Sequence, residues 1–446
     1  MAAGRLSAIV SANHVSILNR WKVGSLISKR KVAIDRVVLP NLKSLKDLVI
    51  DETESLRTRI TEVSETIHSN PELGLKEYKA SELLSSELQK HGFTVETGIA
   101  GMPTAFRATL SSGHGGPHLA YLAEYDALPQ IGHACGHNII GTSAIFSAII
   151  LGRLSKKWNG KITVLGTPDE EGSGGKIPIM KAGFFKDVDG VIMNHPWNCT
   201  SPWMPTVALE SLTIEFTGKS AHYSAPHRGV NALDGLVLTL AALNGLRHGF
   251  RNDVVYGYTI DHGGTVPSVI PEKASARLWI KSTDQRNLSE VVGRVKACAE
   301  GIAKSIGAQV RIQHDFPLFE ESIPNMTLIQ QVSENFNRLE MPFKSAEETA
   351  RSLVYISSDY GNISHVVPSV CPAIAIGPEM LDVHTVEFAE AATSRTGHEA
   401  LVGIIKVMAM TGIDLLSNTS LLEAARTEFS KYRASGFANV PLALRY

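Results

Sequence analysis

Residues 118–158 read HLAYLAEYDALPQIGHACGHNIIGTSAIFSAIILGRLSKKW. The first six are an apolar run of strand type. The loop after them holds two carboxylates (Glu124, Asp126), two histidines (His133, His137) and Cys135. The stretch 141–158 then has the length and apolar content of a helix. The same design recurs downstream. KITVLGTPDEEGSGG (161–175) is an apolar strand running into an acidic, glycine-rich loop, and DGVIMNHPW (189–197) is an apolar strand ending in a polar one. Strands alternating with helices predict an α/β fold, a mostly parallel sheet with helices on both faces. Ligands gather at the carboxyl ends of such strands, and all three polar clusters stand at strand ends.

Working outward, 52–92 is helical in pattern, broken at NPELG and stopped at Gly92. FTVETG (93–98) and TAFRATL (104–110) read as strands. Near 206 the texture changes. VALESLTIEFTGKSA, VVYGYTIDHGG, KASARLWIKST and AQVRIQHD are strands, interleaved with two helices, NALDGLVLTLAALNGLRHG and LSEVVGRVKACAEGIAKSIG. A compact α+β unit is therefore expected as an insertion over 206–318. The 446 residues exceed one simple core at roughly 100–200 residues per domain. The expected division is a basic extension at 1–50, a catalytic domain in two parts (51–205 and 319–420), the inserted unit at 206–318, and a tail at 421–446. No internal repeat is evident.

The net charge is −1, so no strong field draws the chain to nucleic acid or an anionic membrane. The cysteines, Cys135, Cys199, Cys298 and Cys371, lie far apart without a CxxC pair, which fits a reducing compartment better than a disulfide framework. No run reads as long and apolar enough to span a membrane. The best candidate, LVGIIKVMAMTGIDLL (401–416), carries Lys406 and reads as a buried or amphipathic helix. The first 34 residues carry Arg5, Arg20, Lys22, Lys29, Arg30 and Lys31 and no acid. That composition suits either a leader on a cytoplasmic enzyme, the expected location, or a mitochondrial transit peptide.

The chemistry gathers in four places. Cys135 and His137 form Cys-x-His in a loop, and zinc accepts both donors; Cys-x-His alone is weak evidence, because cysteine is often a small core residue. Glu170 and Glu171 follow a strand, where adjacent side chains point in opposite directions. One can bind metal while the other faces the substrate water, a division that suits metal-assisted hydrolysis. His195 follows GVIM, and His384 lies in LDVHTVEF beside acidic residues. A lone histidine is more often a structural residue, but these stand with other ligands at strand ends or in loops. Cys135, His137, Glu171, His195 and His384 suffice for two metal ions with open positions. GSGGK (172–176) lacks the spacing of a phosphate loop. Asp359 either lines the pocket or caps a helix, and His262 and His365 read as structural.

HSNPELG (68–74), EYDALP (124–129), GHACGHN (132–138), GTPDEEGSGGKI (166–177), GKSAH (218–222) and GVNALDG (229–235) occur in this order. Together they resemble the di-metal aminoacylase/carboxypeptidase family, metallopeptidase family 20, and most of all its amidohydrolase branch and the dipeptidases called peptidase-domain-containing protein 2. The resemblance covers about 55–416. It implies a catalytic domain interrupted by a lid and dimerisation domain, hence a homodimer, with two divalent ions bound. Zinc is the expected metal, with manganese and cobalt as alternatives. It also implies metal binding by Cys135, His137, Glu171, His195 and His384, and a general base at Glu170. Asp126 matches the carboxylate that orients a metal ligand, and His222 a lid histidine that steadies substrate or oxyanion. Glu124 stands where other branches place a metal-binding histidine, and its role is left open. Ser268 and Lys281 depart from the family's Asn and Arg in the lid.

The expected function is metal-dependent hydrolysis of the amide bond of a small N-acyl amino acid, amino-acid conjugate or dipeptide, with no nucleic-acid or membrane partner. Two alternatives stand beside it. A Cys135 nucleophile with a histidine base leaves Glu170, Glu171 and His384 without roles. A catalytically silent binding relative would have lost the base or the ligands, and all are present.

Overall fold

The computed structural model describes residues 42–352 and 355–435. The basic leader therefore lies outside the described residues. In chain order the strands are β1 (Thr94–Thr97), β2 (Phe106–Ser112), β3 (His118–Ala123), β4 (Gly160–Gly166), β5 (Gly190–Ile192), β6 (His195–Trp197), β7 (Ala208–Thr217), β8 (Val255–His262), β9 (Lys273–Ser282), β10 (Gln309–His314), β11 (Ser369–Val370) and β12 (Ala373–Ala375). Six form one sheet in the order β1-β2-β4-β3-β5-β11. β4, β3, β5 and β11 are parallel, and β2 and β1 extend the sheet antiparallel.

The run HLAYLA is apolar at successive positions because both faces of β3 are covered. Leu119, Tyr121 and Ala123 join one core with Ile145, Ile149 and Met408, while Ala120 and Leu122 join another with Ile179, Phe185 and Ile363. The helix His137–Arg153 is buried along nearly its whole length. It lies against β3 and β4 and is itself covered by the helix Arg395–Ser417.

Register places the loops. Ala123 at the end of β3 pairs with Gly166 at the end of β4, so segments 124–138 and 167–175 leave the sheet side by side. On the other flank of β3, Tyr121 pairs with Ile192 of β5, which brings His195 to the same edge. β6 and β12 pair in parallel, Ala373 opposite His195.

The inserted unit is a four-stranded antiparallel sheet, β10-β7-β9-β8. Along β9, Ala274, Ala276, Leu278 and Ile280 are buried while Lys273, Arg277 and Trp279 are exposed, the alternation of a half-covered sheet. The helices Ala232–Leu246 and Gln285–Ile306 cover the buried face. Asn231 and Asp284 cap their first turns through side-chain oxygens.

Three expectations need correction. The boundary drawn at residue 50 falls inside the helix Leu42–Ser55, whose Leu45 and Val49 are buried in the main core. The tail drawn from 421 is largely the helix Thr419–Ala434, packed on Met326–Arg338. The helix Arg395–Ser417 is, contrary to expectation, long and apolar enough by composition to cross a membrane, but 83% of its apolar window is buried inside the fold. Its apolarity is that of a helix covered on several sides by other helices.

Candidate active site

At the end of β3 the chain turns through 124–136 and enters the next helix at His137. Gly136 makes that turn with φ +74°, and a Cβ there would meet Pro196 at 2.8 Å, so a larger residue would collide with β6, the strand that begins at His195. Asp126 joins two loops. Its Oδ1 pairs with His137 Nδ1 at 2.9 Å, and its Oδ2 accepts the Glu171 amide at 2.9 Å. Burial opposes the Asp126 charge, but the His137 contacts and the Glu171 amide hold its carboxyl below the ordinary range. With Nδ1 engaged, His137 Nε2 is directed into the cluster.

Nε2 has no hydrogen-bond partner although it is fully buried. Around it lie Glu124 Oε2 at 3.5 Å, Glu170 Oε2 at 3.9 Å and Glu171 Oε1 at 4.0 Å. These distances exceed hydrogen bonds, so Nε2 faces three carboxylates without bonding any of them. Cys135 Sγ stands 3.4 Å from His195 Nε2, and His195 Nδ1 donates to the Pro196 carbonyl at 2.6 Å. That bond puts the proton on Nδ1 and leaves Nε2 its lone pair, the state that metal ligation requires. Burial, then the nearby His137, lowers the His195 pKa to about 3, so the ring is neutral, as a ligand must be. His384 Nε2 lies 3.2 Å from Glu171 Oε1. Its backbone takes a left-handed φ of +62° and its amide donates to the Ala134 carbonyl.

Three groups of donor atoms, each within 4.8 Å of one another, emerge from the predicted residues: Cys135, His137 and His195; Cys135, Glu171 and His384; and His137, Glu170 and Glu171. Cys135, His137 and Glu171 each belong to two of them. The soft and borderline donors fit divalent transition ions, and the unpartnered His137 Nε2 marks where one would sit. The electrostatics agree. Burial disfavours a charged His137, yet Asp126 and Cys135 drive its pKa well above the usual value, so the pocket attracts a positive charge at that ring. Glu170 is nearly buried. Burial, then Glu124 and Glu171, pushes its carboxyl well up.

Of the predicted residues, the structure brings together Asp126, Cys135, His137, Glu170, Glu171, His195 and His384. It does not bring His222, which is exposed on the lid and hydrogen-bonds Ser224 at 2.7 Å. Lys281 on β9 donates to the Tyr355 carbonyl at 2.7 Å and lies within electrostatic reach of Glu170. Sequence reasoning gave no role to Lys176 or Glu77. Lys176 is buried between Glu124 and Asp359. Glu77 is buried and accepts the amides of Leu75 and Asp169. In sequence Lys176 lies inside GTPDEEGSGGKI and Glu77 just after HSNPELG, and neither position carried a signal of its role.

Residues 209–306 match the model of the M20 peptidase dimerisation domain, the inserted unit described above. A mouse Xaa-Arg dipeptidase is 33% identical over 402 residues, covering 87% of this chain and 93% of the relative. A chain of the p-aminobenzoyl-glutamate hydrolase of Escherichia coli is 26% identical, with 87% and 95% covered. Among solved structures, a dinuclear metal-binding peptidase of the M20 family from Bacillus subtilis superposes with a TM-score of 0.62 at 19% identity, over 81% of this chain and 99% of the other. A Staphylococcus aureus aminohydrolase gives 0.70 at 18%, over 83% and 100%. With a fold, a buried ligand cluster and a full-length relative all in agreement, the chain belongs to the M20 family of metal-dependent peptidases and amidohydrolases.

Proposed function

We propose that the protein hydrolyses the amide bond of a dipeptide or N-acyl amino acid at a two-ion centre that Cys135, His137, Glu171, His195 and His384 would hold. The carrying observation is that these five residues fall into overlapping donor groups. The sulfur and imidazole donors favour zinc, and manganese or cobalt can occupy the same donors. When bound, the ions supply a water of lowered pKa and polarise the scissile carbonyl.

The chain's own residues do the rest. Asp126 holds His137 in the tautomer that presents Nε2 and fixes the Glu171 amide. Glu170, whose buried carboxyl binds a proton readily, takes the proton of the attacking water and returns it to the leaving amine. Lys281 offers a lid cation for a substrate carboxylate. His222 reaches the centre through lid movement or from the partner of a homodimer, because its own lid leaves it exposed. The mouse relative's name, Xaa-Arg dipeptidase, supports dipeptides as the first substrates to test.

A cysteine nucleophile is disfavoured. Burial, then the Glu171 charge, pushes the Cys135 thiol well up, opposite to the activation a nucleophile requires. The two readings separate in Glu170→Gln. We expect turnover of dipeptides to fall by on the order of 10²–10⁴ with the ion content of wild type. Near wild-type turnover would remove Glu170 from the mechanism.

A further inference from the structure

Beside the donor groups of the predicted site lies another, made of carboxylates alone. Glu124, Glu170 and Asp359 are buried and bring one oxygen each within 4.8 Å of one another. Three carboxylate oxygens at that spacing are donors of the kind a hard divalent cation takes. None of these residues belongs to the two-ion set proposed above.

The place is already filled. Lys176 is fully buried. Its Nζ pairs with Glu124 Oε1 and with Asp359 Oδ1, the latter at 2.5 Å. Asp359 Oδ2 accepts the Lys176 backbone amide at 2.8 Å, so one carboxylate grips both ends of the residue. Taking an ammonium out of water costs several kcal/mol unless it is well paired, and a residue needed only for packing would be apolar. The lysine is therefore explained by the negative charge around it. Glu170 lies within its electrostatic reach.

We propose that Lys176 is the protein's own cation in this all-carboxylate group, standing where a further divalent ion would otherwise bind. Its ammonium limits the centre to two ions and leaves Glu170 free to act on water. This rests on the two-ion reading above, and it makes Lys176 a positioning residue, since it acts through Glu124, Asp359 and Glu170.

The test is an ion count. Wild type, Lys176→Ala and Lys176→Ala/Asp359→Asn are treated with chelator, equilibrated with Mn²⁺, freed of excess ion and analysed for manganese per folded chain. Alanine leaves room for an ion that methionine would fill. The expected result is two ions in wild type, three in Lys176→Ala, and two again in the double variant, which lacks one of the three carboxylates. Thermal melts give a second readout. Chelated Lys176→Ala melts below chelated wild type, and Mn²⁺ raises it by more than it raises wild type. Two ions in folded Lys176→Ala would overturn the proposal. So would failure of that variant to fold even with Mn²⁺ present, because a divalent ion should then replace the missing charge. A wild-type count other than two would instead overturn the two-ion reading itself, so the two failures are distinguishable.

Discussion

Asp126 serves two partners, and the proposed chemistry depends on that sharing. Asp126 gives one oxygen to His137 and the other to the Glu171 amide, so a single carboxylate sets one ligand's tautomer and the next ligand's position. Asp126→Asn keeps the shape but puts an N–H where an acceptor was. We expect metal affinity to fall by about 10- to 100-fold, read by competition with a chromophoric chelator; unchanged affinity would show that Asp126 does not orient the ligands. Most of these residues were legible in the sequence because each sits in a short motif at a strand end. Lys176 was not. In sequence it closes a glycine-rich run, and its partner Asp359 is 183 residues away. Only the sheet order brings them together.

At the scale of elements, the acidic loop after β4 is held in a strained shape. Asp169 adopts φ +61°, a conformation that costs a non-glycine residue on the order of 1–3 kcal/mol. Its carboxylate accepts the Ser173 amide and hydroxyl, and it packs so close to Gly74 that a Cβ there would meet Asp169 Oδ1 at 1.8 Å. Glu77 fixes the start of the loop. It accepts the Asp169 and Leu75 amides, both at 2.9 Å, and the Thr104 hydroxyl at 2.7 Å. Glu77→Ala strands those donors, and we expect a loss of about 1–3 kcal/mol together with lower turnover, measured by urea unfolding and by rate. Glu77→Gln keeps an acceptor oxygen and should recover most of both; no recovery would mean that the charge, not the acceptor, matters.

The same residue makes a pH prediction. Burial pushes Glu77 up from 4.5 to about 7, against the pull of its hydrogen bonds. Between those values the folded chain keeps a proton that the unfolded chain releases. Glu77 therefore makes stability fall as pH rises from about 4.5 to about 7, with no further change above. In chelated protein, the stability difference between wild type and Glu77→Gln should change over that window. A constant difference would contradict the raised value. The strand and helix alternation around this loop was readable from apolar runs. The terminal boundaries were not, because Leu42–Ser55 and Thr419–Ala434 look like surface helices until their partners are known.

For the whole molecule, the inserted domain presents surfaces that its own chain leaves uncovered. β8 is an edge strand with Tyr258 and Ile260 exposed, and the lid helix exposes Val237 and Leu238. Such an edge invites pairing unless another chain covers it. If these residues form the homodimer contact, Leu238→Asp should shift sedimentation toward monomer and, with His222 displaced, lower turnover more than ion content; a wild type that sediments as a monomer would rule the contact out. The inserted domain was legible from the change in strand texture near 206. The distance of His222 from the cluster was not, because motif order carries no information about lid position. The most direct test of the central claim follows dipeptide hydrolysis while divalent ions are titrated into chelated wild-type protein, counting bound ions at each step. The account predicts no turnover without metal and full turnover at two ions per chain. Turnover that persists after all metal is removed would contradict it.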